Sequence, residues 1–135
     1  MNRALAVVCA LALGTCLAGC SNVPPWDSAP FCHAVFFKFK AGATDAQKAD
    51  MLRDVRDMLA PIPSVKGVWA GQPAPTSNQP FVDTNYDVGI LITFADQKGL
   101  MSYDSHPRHV DFVKKYGNLV DVRVFDFTPK GGMRP

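Results

Sequence analysis

Three histidines and one tyrosine carry most of the chemistry available to this chain. His106-Pro107-Arg108-His109 sets two imidazoles three residues apart, Tyr103 stands six residues before His109, and His33 sits alone in an apolar stretch. An unperturbed imidazole titrates at about 6.5, so a neutral His109 can act as a general base, for instance on a carbon next to a carbonyl. Tyr103 can orient that imidazole or donate to a developing enolate oxygen. Preceding a proline, His106 reads first as a helix-start residue whose side chain bonds backbone groups. Catalytic zinc wants three protein ligands, and no third accompanies His106 and His109, so neither a metal nor another cofactor is expected.

Composition narrows the setting. The chain has 135 residues, enough for one ordinary domain, with 47% hydrophobic residues and 14 Lys+Arg against 12 Asp+Glu. No run of Lys or Arg exceeds two, so a nucleic-acid partner is not expected. Of the four cysteines, Cys9 and Cys16 fall in the apolar N-terminal stretch, which leaves no disulfide framework and no zinc-type pair. Cys32 reads as a packing thiol.

The N-terminus reads as an export signal. Asn2-Arg3 precedes an uninterrupted apolar run from Ala4 to Leu13, too short to span a bilayer comfortably. Leu17-Ala18-Gly19-Cys20 then resembles the lipobox of bacterial lipoproteins. That resemblance implies a signal peptide over 1–19, a mature chain beginning at a lipidated Cys20, and a protein anchored in the bacterial cell envelope rather than spanning it. Ser21 in place of an aspartate favours the periplasmic side of the outer membrane. Residues 20–30 form a Pro-rich tether of about 30 Å reach, and residues 130–135 a flexible tail.

The elements that must position the histidines lie within 31–129. Phe31 to Lys40 reads as a strand whose odd positions, His33, Val35, Phe37 and Phe39, share one face. Thr44-Asp45-Ala46-Gln47 has the form of a capping box, and Met51, Leu52, Val55, Met58 and Leu59 follow helical spacing until Pro61 and Pro63. The opposite face, with Lys48, Asp50, Arg53, Asp54, Arg56 and Asp57, reads as solvated, with pairing such as Arg53 to Asp57. Val65 to Gly71 makes a second strand, Gln72 to Asn85 a long polar loop, and Tyr86 to Phe94 a third strand with Val88, Ile90 and Ile92 on one face. Asp96 caps a helix near 97–104, Pro107 starts another that Gly117 closes, and Val120 to Phe127 is the fourth strand.

This order is the split βαβ of a ferredoxin-like α+β fold, with helices covering one face of a four-stranded antiparallel sheet. Phe36, Leu91 and the residues of Val120 to Phe127, apolar on both sides, leave the other face in need of cover. A homodimer that buries two such faces together is the expected solution.

His33 to Lys40, Trp69-Ala70-Gly71, Tyr86-Asp87-Val88, Tyr103 to His109 and Asp126-Phe127-Thr128-Pro129 together resemble the stress-responsive dimeric α/β-barrel (Dabb) family over nearly all of 33–129. The resemblance implies a homodimer whose sheets form one barrel. The family includes stress proteins without known chemistry and a cofactor-free plant cyclase acting on a polyketide between sheet and helices. The tyrosine and histidine of that pocket match Tyr103 and His109, and its first-strand histidine matches His33, whereas a third-strand histidine falls at Val88. The expected site is therefore Tyr103 and His109 as catalytic pair, with His33, Val35, Phe37, Leu52, Val55, Val88, Ile90 and His106 holding the ligand. The function expected first is binding of a small apolar molecule in a stress-related envelope setting. A cofactor-independent cyclase or lyase working through the Tyr/His pair is the alternative.

Overall fold

A computed structural model describes residues 31–75 and 79–129. The expected signal peptide over 1–19, Cys20 with the expected tether over 20–30, and the expected tail over 130–135 lie outside the described residues.

Strand β1 (Phe31–Phe39) alternates as its sequence demands, with Val35, Phe37 and Phe39 buried on one face. Gly42, at φ 92°, turns the chain in a conformation that favours glycine. Helix α1 (Asp45–Asp54) opens on a complete capping box: Thr44 accepts from the Gln47 amide while the Gln47 side chain accepts from the Thr44 amide. The helix then widens into a π-helical turn (Val55–Leu59), which changes the side-chain register relative to a regular helix. Arg53 pairs with Asp50 at 2.7 Å, and Arg56 with Asp57, in place of the expected Arg53 to Asp57 pair.

Strand β2 (Val65–Gly71), strand β3 (Val88–Phe94), helices α2 (Gln97–Asp104) and α3 (Pro107–Tyr116) and strand β4 (Val120–Phe127) complete the domain. Strand β3 starts two residues later than its apolar pattern suggests. Asp87 is held at the end of β1 instead, its amide bonded to the Phe37 carbonyl and its carboxylate accepting from the Phe39 amide and pairing with Lys48. Asp96 caps α2 through the Gly99 amide. The sheet is antiparallel in the order β2-β3-β1-β4, a ferredoxin-like α+β architecture.

Register decides the two faces. His33, Val35, Phe37 and Phe39 pair laterally with Ile92, Ile90 and Val88 on one side and with Asp126, Val124, Val122 and Val120 on the other. This inner face packs on the helices, where Met51, Val55, Leu59, Ile92 and Phe94 are almost wholly excluded from water. Burying one such side chain contributes about 1.5–3 kcal/mol. The outer face carries Ala34, Phe36, Leu91, Trp69, Phe125 and Phe127. Its last three aromatics are more than half exposed, and among the described residues no helix covers them.

One residue of the supposedly solvated helix face is buried. Asp54 accepts from the Tyr116 hydroxyl at 2.7 Å and from Lys115, which ties α1 to the end of α3. Burial pushes the Asp54 carboxyl up, but these hydrogen bonds outweigh it and hold the group below its ordinary value. Burial first, and then its own hydrogen bond to Asp54, raise the Tyr116 phenol.

Candidate functional site

A cavity of about 330 Å³ lies between the inner face of β1, β3 and β4 and the helices. Strand alternation delivers His33, Val35 and Phe37 from β1 and Val120, Val122 and Val124 from β4. Helical spacing delivers His109, Phe112, Val113 and Tyr116 from α3, while α2 contributes Tyr103 and Asp104 at its last two positions. Its volume is at the lower end for small-molecule sites, and its wall is mostly hydrocarbon with a few convergent polar groups.

Those polar groups are mutually oriented. His109 Nδ1 lies 3.0 Å from the Asp104 carbonyl oxygen. A carbonyl only accepts, so Nδ1 carries the proton and the neutral ring keeps its Nε2 lone pair free. His33 Nδ1 lies 2.7 Å from Oδ1 of Asp126, and the same reasoning leaves His33 Nε2 as the available nitrogen. The Tyr103 ring stands between the two imidazoles, its centroid 4.3 Å from that of His109 and 6.1 Å from that of His33. Phe94 supports it from the core at 5.2 Å. Burial, and then the nearby Asp104 charge, push the Tyr103 phenol well above its ordinary value of 10. The hydroxyl therefore remains a proton-bearing donor at neutral pH.

The structure brings together Tyr103, His109, His33, Val35, Phe37 and Ile90 of the residues singled out from sequence. Four others stand elsewhere. His106 is the N-cap of α3, its Nδ1 accepting from the Arg108 amide at 3.2 Å. That bond satisfies one of the free donors at the helix start and engages the imidazole there. Val88 is wholly buried in the core. Leu52 and Val55 face a separate open groove between the π-helical turn and β2, with Arg56 and Lys66 along it. The π-helical turn carries Leu59, rather than Leu52 or Val55, to the cavity wall.

Asp126 is the residue that sequence reasoning missed. Its signal was a lone carboxylate in the inward series Val120, Val122, Val124, Asp126, but its partner depends on the β1–β4 register. The α3 wall was also overlooked, although Phe112, Val113 and Tyr116 follow His109 at spacings of three, four and seven residues along one helix face.

Comparison with known proteins matches this arrangement to a family. Olivetolic acid cyclase of Cannabis sativa is 28% identical over 99 residues, covering 73% of this chain and 95% of the cyclase. Among solved structures, a Dabb family protein with a ferredoxin-like fold from Mesorhizobium loti is 27% identical, with a TM-score of 0.62 over 76% of this chain and 99% of its own. A dimeric ferredoxin-like protein of unknown function from Thermobifida fusca gives a TM-score of 0.64 at 18% identity, over 76% and 92% of the two chains. The hydroxynitrile lyase of Passiflora edulis gives 0.67 at 15% identity, over 79% and 99%. The family model for the stress responsive A/B barrel domain, Dabb, matches residues 31–129, and the chain belongs to that family.

Proposed function

We propose that the cavity binds a small apolar carbonyl compound and that its imidazoles move a proton on it without a cofactor, in an aldol-type cyclase or lyase reaction. The observation that carries this reading is the pair of imidazoles, each with Nδ1 bonded to an acceptor and Nε2 left available, on either side of the Tyr103 ring. A pocket that only stored an apolar molecule would be served by the valine and phenylalanine wall alone. Here one Nε2 can act as base at the carbon next to the carbonyl, while the Tyr103 hydroxyl donates to the oxygen as negative charge develops there. A cyclase among the relatives and a lyase among the structural neighbours are consistent with this chemistry.

Two further readings set the context. The exposed outer face, with Trp69, Phe125 and Phe127, is the surface on which a second copy packs to give a homodimer; the dimeric Thermobifida neighbour supports it. Cys20 is the lipid anchor that holds the domain in the bacterial envelope, supported by the Leu17-Ala18-Gly19-Cys20 sequence. Metabolic labelling with a fatty-acid analogue checks the anchor: label is expected on the wild-type chain and not on Cys20→Ser.

The chemistry is tested with heptyl methyl ketone in D₂O. The protein should accelerate deuterium uptake next to the carbonyl, and His109→Ala should reduce that acceleration about a hundredfold. Uptake no faster than in buffer would overturn the reading.

A further inference from the structure

Charge around the cavity is one-sided. Among the described residues that line it, Asp104 is acidic and none is Lys or Arg. A second carboxylate, Asp126, stands at its edge on His33. Cations on the neighbouring elements are engaged elsewhere. Lys115 donates to Asp54, Arg108 donates to the Asp57 carbonyl at 3.0 Å, and Arg123 donates to Asp83 and to the Asn85 carbonyl from the outer face. An anion entering this site would leave water for a hydrocarbon wall with no fixed cation to meet it, and two carboxylates would repel it. A neutral carbonyl oxygen suffers neither penalty, and the buried Tyr103 hydroxyl can donate to it.

We infer that the cavity selects electrically neutral aldehydes or ketones and rejects carboxylates, phosphates and thioesters of anionic carriers of the same length. The inference rests on the cavity being the ligand site, as proposed above, and adds the charge of what it accepts. The apolar chain lies along Phe112, Val122 and Val124, and the carbonyl end lies at Tyr103 between the imidazoles.

The test compares two probes of nine carbons, heptyl methyl ketone and nonanoate, by NMR titration of the full chain at pH 8. The ketone should bind at least about tenfold tighter, since an unpaired buried charge is disfavoured by more than that. Nonanoate binding as tightly as the ketone would overturn the selectivity while leaving the cavity reading in place. If neither probe shifts the cavity resonances, the cavity reading itself falls and the selectivity with it. Val124→Lys places a cation on the half-exposed β4 wall. It should raise the ratio of nonanoate to ketone affinity about tenfold, whatever apolar contact the ketone loses at that wall. A variant that folds without that gain would overturn the electrostatic cause.

Discussion

The Nδ1 of His33 lies 2.7 Å from the Asp126 carboxylate although 93 residues separate them in the chain. The contact exists because β1 and β4 run antiparallel with His33 opposite Asp126, both on the inner face of the sheet. A carboxylate on Nδ1 fixes the ring orientation and tautomer, which leaves Nε2 as the reactive nitrogen. Asp126→Ala should release this constraint. Nitrogen-15 NMR of His33 should change from a single tautomer to a mixture, and ketone-dependent deuterium uptake should fall about tenfold or more. The Asp126 side chain is 40% exposed, so the melting temperature should hardly move. An unchanged tautomer would remove Asp126 from a positioning role.

Tyr103 gives a prediction at the alkaline end. Its folded-state phenol is raised above the ordinary value of 10, by burial and then by Asp104. A raised acid contributes stability that is fully present below the unfolded value and lost as pH rises through the folded one. Above about pH 10 the unfolded chain ionises at this residue while the folded chain does not, so stability falls. Tyr103→Phe should therefore lose less stability than wild type between pH 9 and 11 in urea titrations. At pH 7 the two should differ by no more than about 1 kcal/mol, while ketone turnover should drop.

Asp54 gives the opposite sign. Its carboxyl is lowered in the fold, because the Lys115 and Tyr116 hydrogen bonds outweigh burial. The stability it contributes is present above the ordinary 3.8 and lost as pH falls through the folded value. Asp54→Ala should cost about 1–3 kcal/mol at pH 7, since the buried Tyr116 hydroxyl loses its acceptor. The gap from wild type should narrow in unfolding experiments near pH 2. A gap that stayed constant with pH would assign the loss to packing alone.

The outer sheet face predicts an association state. Phe125 is 54% exposed and Trp69 59%, and a charge at the centre of a buried apolar interface is strongly disfavoured. Phe125→Glu should sediment as a monomer where the wild-type domain sediments as a dimer, with circular dichroism unchanged. A wild-type monomer at high micromolar concentration would refute the proposed homodimer.

How far the sequence could be read differed from element to element. The capping box at Thr44, the Asp96 cap and the Pro107 start depend on side chains bonding backbone three or fewer residues away, and each appears where its residues stand. The late start of β3 is different, because Asp87 answers to β1 rather than to its own neighbours. Asp54 looked like one more charge on a solvated helix face. Its burial depends on Tyr116 and Lys115, whose approach no local pattern records.

The candidate site divides in the same way. Sequence by itself determined most of the elements, the inward series of β1 and β3, and the chemically capable residues Tyr103, His109 and His33, because local periodicity and capping are encoded within a few residues of each position. Only the tertiary structure decided which of them share a cavity. Sheet register set Asp126 on His33, and packing of the helices on the sheet put Leu59 rather than Leu52 or Val55 at the wall. These outcomes depend on contacts between segments far apart in the chain, where packing and hydrogen-bond satisfaction across elements override what each segment prefers alone.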